Sequence, residues 1–273
     1  MSSDEDSVMD HVSVDGLKIA YRAAGSGRPL VLLHGGLSDG REWRRQMDGL
    51  SDRFLVVAWD APGCGASSDP PESFRLGDYA DCLAGLIQAL DLDRPHVAGL
   101  SFGAGLALSF YERYPTVPAS LILASAYAGW GGSLAPEEVR QRLEGALRDA
   151  DLPPAEVVAQ FRPTLFAGEI ARETLDEVSS IMLGFHPAGA RAMARSFAEA
   201  DLRHVLPTVS VPTLLLYGEE DLRAPKPVSR ALHEGIPASR LVFIPGVGHQ
   251  HNLEAPERFN DEVCAFLQSV DEP

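Results

Sequence analysis

The sequence predicts an α/β fold: a mostly parallel central sheet flanked by helices on both faces, with an inserted helical segment. Three observations point there. Short apolar runs alternate with helical patterns over the first half of the chain. Those runs are continuously apolar rather than alternating, as in strands covered on both faces. The alternation stops, gives way to a strand-free helical stretch, and resumes before the C-terminus.

Taken in order, Val12–Val14 and Leu17–Tyr21 read as two strands joined at Asp15-Gly16, a hairpin signal. Pro29–Leu33 and Phe54–Trp59 are buried runs that end at His34-Gly35-Gly36 and Asp60-Ala61-Pro62-Gly63. Leu76–Leu90 has apolar residues at helical spacing. Pro95–Leu100 is a further strand that breaks at Ser101 into the helix pattern Phe102–Tyr114, and Ser120–Ala124 is the next strand. From Ala126 to Pro207 there are amphipathic segments punctuated by Pro136, Pro153-Pro154, Pro163 and Pro187. Thr213–Tyr217, a helix near Val228–Glu234, Leu241–Ile244 and a last helix over Pro256–Leu267 complete the chain. The expected division is a core of residues 11–125 and 208–273, a helical insertion over 126–207, and an acidic leader over 1–10 that is expected to be disordered.

The chain has 273 residues, and 23 Lys and Arg against 39 Asp and Glu leave a net charge of −16. Such a field repels phosphate backbones and anionic headgroups, so nucleic acid and membranes are not expected partners. No cationic-then-apolar segment opens the chain and no apolar run approaches the about 20 residues of a membrane span, so a cytoplasmic location is expected. Cys64, Cys82 and Cys264 form no CxxC pair, which disfavours disulfide frameworks and zinc sites. Neither a metal nor a cofactor is expected. The expected partner is a small-molecule substrate, and self-association is left open.

Gly99-Leu100-Ser101-Phe102-Gly103 matches G-x-S-x-G between an apolar strand and a helix. A sharp strand-to-helix turn holds such a serine in strained backbone geometry, and the flanking glycines avoid clashes. Ser101 is therefore the candidate nucleophile. A tetrahedral oxyanion needs two fixed N–H donors, each worth about 2.7–4 kcal/mol. Phe102 supplies one. The other is expected from His34-Gly35-Gly36-Leu37, with Gly36 preferred and Leu37 the runner-up. His34 is expected to brace this loop rather than act as a base.

Among eight histidines, His249 lies in Pro245-Gly246-Val247-Gly248-His249, at the carboxyl end of the last strand, where ligand sites of open α/β sheets lie. His251 is the competing candidate. The orienting acid is sought in Gly218-Glu219-Glu220-Asp221. Asp221 is preferred because it reaches furthest past the strand, and the two glutamates read as a solvated charge run.

At this point the chain resembles the α/β-hydrolase superfamily with a helical cap. The resemblance rests on His34-Gly35-Gly36, on Asp60–Ser67 as D-x-x-G-x-G-x-S, and on Gly99–Gly103. It rests further on Gly218–Asp221 with Pro225, and on Gly248-His249 with Glu254, Pro256-Glu257 and Phe259. It implies a serine hydrolase that cleaves a carboxylic ester or lactone through an acyl-enzyme, with Ser101, Asp221 and His249 as a catalytic triad. Serine at 101 departs from family members with an aspartate nucleophile, and Leu100 departs from carbon–carbon bond hydrolases with asparagine before the serine. Triad-dependent carbon–carbon hydrolysis, perhydrolysis and a low-turnover ligand receptor remain alternatives. The insertion is expected to act as a cap that roofs the pocket. Leu37 and Trp130 are candidate pocket residues, and Trp130 is expected to be mobile beside Gly129, Gly131 and Gly132. Phe161, Phe166, Met182, Phe185 and Met193 would either line the pocket or pack the insertion. The overall charge favours neutral or cationic substrates, unless Arg191, Arg195 and Arg203 form a basic patch that reverses this.

Overall fold

The computed structural model describes residues 9–271. An antiparallel hairpin opens the chain, β1 (Met9–Val14) and β2 (Leu17–Ala24), with Asp15 and Gly16 both at positive φ in its turn. Then come β3 (Arg28–Leu33), α1 (Arg44–Leu50), β4 (Phe54–Trp59), α2 (Leu76–Ala89), β5 (His96–Leu100), α3 (Phe102–Arg113) and β6 (Ser120–Ala124). Five helices follow before the next strand: α4 (Trp130–Ser133), α5 (Pro136–Asp149), α6 (Pro154–Leu165), α7 (Arg172–Leu183) and α8 (Pro187–Glu199). The chain closes with β7 (Thr213–Gly218), α9 (Lys226–Gly235), β8 (Ser239–Ile244), α10 (His251–Glu254) and α11 (Pro256–Asp271). The eight strands form one sheet in the order β1-β2-β4-β3-β5-β6-β7-β8, parallel from β4 onward. The expected α/β architecture is thus observed.

The continuous apolar runs divide between two cores by the period-two alternation of a strand. Val31 and Leu33 of β3, Val97 of β5 and Leu121 and Leu123 of β6 pack on one face with α2 and α3. Leu30 and Leu32, Ala98 and Leu100, and Ile122 and Ala124 pack on the other with α1 and α11. Burial on both faces explains why these strands carry no polar alternation.

Two local readings need correction. β1 begins at Met9, so residues 9 and 10 of the expected leader belong to the sheet, pairing with Arg22 and Tyr21. An exposed edge strand buries too little to leave an apolar signature, and composition therefore missed it. The rest of that leader, residues 1–8, lies outside the described residues. α1 also escaped the sequence reading, because its seven residues offer only Met47 and Leu50 as buried apolar positions. The prolines of the insertion, by contrast, are helix starts: Pro136, Pro154 and Pro187 are the first residues of α5, α6 and α8, where a missing N–H costs nothing. No helix among the described residues is long and apolar enough to cross a membrane.

Candidate active site

β5 delivers Ser101 at the carboxyl edge of the sheet with φ 54° and ψ −107°, a conformation that a non-glycine residue rarely adopts. The two glycines of the motif are required by contact. A Cβ on Gly99 would lie 2.2 Å from the Gly103 carbonyl oxygen, and one on Gly103 would lie 2.1 Å from that of Leu33. Phe102 is the first residue of α3, so its N–H has no acceptor within the helix.

The loop after β3 faces Ser101. His34 is buried and braces it: Nδ1 donates to the Gly35 carbonyl at 2.8 Å and Nε2 accepts the Ala61 N–H at 3.0 Å. Gly36 has open space where a Cβ would stand, whereas the positive φ of the loop falls on Leu37, at 59°. Among the described residues, neither the Gly36 nor the Leu37 N–H donates to a backbone acceptor.

The Asp60–Ser67 turn beneath this loop is structural. The Asp60 carboxylate accepts the Gly40 and Ala66 N–H groups at 2.8 Å each, and its carbonyl accepts the Ser67 hydroxyl.

The loops after β7 and β8 bring Asp221 and His249 together. His249 Nδ1 donates to Asp221 at 2.9 Å to Oδ2 and 3.1 Å to Oδ1. Asp221 also accepts the Arg223 and Ala224 N–H groups on Oδ1 and the Ser125 hydroxyl on Oδ2. Burial alone would raise this carboxyl, but the charge and hydrogen bond of His249, with the Ala224 N–H and Ser125, hold it at about 2. Glu219 and Glu220 are exposed, as the solvated-run reading expects. His251 is fully buried, donates from Nε2 to the Leu216 carbonyl and is held down at about 4 by burial.

Ser101, Phe102, Gly36, Leu37, Trp130 and His249 line one cavity of about 430 Å³, with Asp221 behind the imidazole. Phe161 and Met193 line it too. Phe166 and Phe185 do not, and pack with Met182 around Val157 and Leu253. The glycines beside Trp130 allow close packing: a Cβ on Gly129 would stand 2.2 Å from the Ala200 carbonyl oxygen. Trp130 rests against Phe197, with ring centroids 5.6 Å apart.

Sequence reasoning missed several residues that build this site. Ser125, at positive φ just past β6, holds both Asp221 and the His249 carbonyl. Glu42 is buried, taking the Gly35 N–H on Oε2 and the Gln250 side chain on Oε1, so one carboxylate ties the two loops together. Glu254, already named in the motif that follows His249, accepts the Gly248 and Ala167 N–H groups. Position after a strand end was a usable signal for Ser125; nothing local marks Glu42. Among the described residues no cluster of His, Cys, Asp and Glu is arranged to hold a metal ion.

A parallel sheet with a strained serine at its carboxyl edge and a carboxylate-bound histidine on the next loops defines a hydrolase scaffold. A model of the alpha/beta hydrolase fold matches residues 28–256, and the chain belongs to that family. A thermophilic esterase from Thermogutta terrifontis is 30% identical and superimposes with a TM-score of 0.88 over 96% of this chain and 99% of its own. The AB hydrolase superfamily protein YisY of Bacillus subtilis (strain 168) is 29% identical, over 90% of this chain and 93% of the relative. The enol-lactonase from Burkholderia xenovorans LB400 has a TM-score of 0.87 over 95% of this chain and 100% of its own, and at 23% identity that likeness is one of fold.

Proposed function

We propose that the protein is a serine hydrolase that cleaves a carboxylic ester or lactone of a small molecule through an acyl-enzyme. The observation that carries this is the Asp221–His249 pair at 2.9 Å opening onto the same cavity as Ser101 in its strained turn. With Nδ1 donating to Asp221, Nε2 is the nitrogen available to take the Ser101 proton. Ser101 Oγ then attacks the carbonyl carbon, and the N–H groups of Phe102 and Gly36 hold the oxyanion. The tetrahedral intermediate collapses, the C–O bond breaks, and His249 returns the proton to the leaving alkoxide. Water, deprotonated by His249, attacks the acyl-enzyme and releases the acid and Ser101. Asp221 stays ionised throughout and offsets the imidazolium charge.

The helices between β6 and β7 form the cap in this reading, with residues 126–207 over a core of 11–125 and 208–273. Residues of α5, α6 and α8, among them Ala146, Phe161 and Met193, wall the cavity, which supports a role in substrate choice. The esterase likeness at 30% identity supports ester chemistry.

Ser101→Ala tests the reading. Its hydrolysis of p-nitrophenyl acetate and butyrate is expected to fall by at least about a thousandfold with the melting temperature within a few degrees, and labelling by a fluorophosphonate is expected to vanish. Undiminished turnover in a folded variant would remove the proposal.

A further inference from the structure

In a chain with net charge −16, most arginines among the described residues face a carboxylate. The three arginines that the sequence put forward as a basic patch are of this kind: Arg191 pairs with Asp151, Arg195 with Glu72 and Arg203 with Asp201. The cavity holds two others, of which Arg142 is paired in the same way and, among the described residues, Arg223 is not. Its lining includes three side chains of fixed charge, Arg142, Asp149 and Arg223. Arg142 donates to the Tyr127 hydroxyl at 3.1 Å and to Glu138 at 2.7 Å. It lies over the Tyr127 and Trp130 rings, 5.7 and 5.9 Å from their centroids. Its Nη2 also donates to the Arg223 carbonyl at 3.1 Å, so the two arginines are mechanically joined.

Arg223 is differently placed. Its Nη1 donates to the Thr164 hydroxyl at 3.0 Å, and its guanidinium sits 5.1 Å over the Phe161 ring. Among the described residues no carboxylate comes within 4 Å of its nitrogens. Burial pulls this guanidinium below its ordinary value, and the like charge of Arg142 works in the same direction against Tyr127 and Asp221. It nevertheless stays protonated, as arginine does in proteins. Arg223 is half-buried, and apart from the Thr164 hydroxyl its donors are left for a ligand in the cavity. Arg142 is already paired with Glu138, so Arg223 is the cation of the wall left for an anion, and its planar fork suits a carboxylate.

We propose that the substrate is an ester or lactone bearing one free carboxylate, which Arg223 grips with Arg142 beside it while Ser101 attacks the scissile carbonyl. The inference rests on the serine-hydrolase reading for its chemistry but not for its binding step. The repulsive field of the whole molecule is overcome locally, since the Arg223 guanidinium would meet the carboxylate at contact distance while most other charges lie further off and are screened.

Two measurements separate the claims. In pH-stat assays, monoethyl glutarate and monoethyl adipate are compared with ethyl pentanoate and ethyl hexanoate. The hemiesters are expected to show kcat/KM about tenfold or more above the neutral esters, chiefly through a lower KM. Arg223→Gln is expected to cut that ratio by about tenfold or more, and Arg223→Lys to retain part of it. In titration calorimetry on Ser101→Ala, which needs no turnover, the better hemiester is expected to bind more tightly than diethyl glutarate. Adding Arg223→Gln is expected to remove the difference. Hydrolysis of neutral esters with no hemiester preference overturns the anchor and leaves the hydrolase reading standing. Arg223-dependent hemiester binding without turnover of any ester supports the anchor and overturns the hydrolase reading. Equal binding and equal turnover in wild type and both Arg223 variants overturns the anchor outright.

Discussion

Glu42 shows how much one buried side chain does in this site. Its carboxylate receives the Gly35 N–H from the loop after β3 and the Gln250 amide from the loop after β8, each at 2.9 Å. Burial raises its carboxyl, and the Gly35 N–H and His34 work against that. Glu42→Gln keeps the shape but sets a donor against one of two donors. An unsatisfied buried group costs about 1–3 kcal/mol, so a drop of that size is expected in chemical denaturation. If Glu42 positions the oxyanion loop, kcat on a neutral ester falls about tenfold while KM changes little, because the lost alignment matters most in the transition state. A purely structural Glu42 would lower stability and leave kcat alone. At the same scale, the charge and hydrogen bond of His249, helped by the Ala224 N–H and Ser125, explain why Asp221 ionises easily despite its burial.

At the scale of elements, the turn from β5 into α3 is set by close packing. Gly103 sits against the end of β3, where a Cβ would meet the Leu33 and His34 carbonyl oxygens at 2.1 and 2.7 Å. Backbone cannot yield as a side chain can, so Gly103→Ala is expected to cost at least about 1–3 kcal/mol. Gly168, between α6 and α7, has nothing within 4 Å of such a Cβ, and Gly168→Ala is expected to stay within about 0.5 kcal/mol. Equal unfolding midpoints for the two variants would contradict the packing argument. The helices between β6 and β7 were legible as helices because proline marks the starts of three of them. Their arrangement was not, since Phe161 and Met193 reach the cavity while Phe166 and Phe185, equally apolar, pack away from it.

For the whole molecule, two buried groups of the site region contribute identifiable steps to the pH dependence of stability. His251 titrates at about 4 in the fold against 6.5 ordinarily, because burial disfavours its cation. Between those values the unfolded chain binds the extra proton, so stability is full above pH 6.5 and falls as the pH drops toward 4. The loss amounts to about 3 kcal/mol by the usual conversion. Asp221, held at about 2 against 3.8, adds a second loss at lower pH, as it must be protonated below its ordinary value. His251→Asn is expected to be less stable at pH 7 and to flatten the upper step. Urea midpoints at pH 7, 5 and 4 would read this, and an unchanged slope would count against it.

The sequence by itself determined the layered fold, the turn that presents Ser101, and the loops that carry Gly36, Asp221 and His249. Those features depend on local patterns: apolar runs that need cover on both faces, and glycines at positions where a Cβ has no room. Tertiary structure alone decided what closes the site. Glu42, Ser125, Arg142 and Arg223 act across separations of 15 to 208 residues through contacts that leave no periodicity in the chain. It also decided the charge the cavity meets. A net charge counts every side chain equally, whereas a ligand feels those left without a partner at the wall, and only the folded chain selects them.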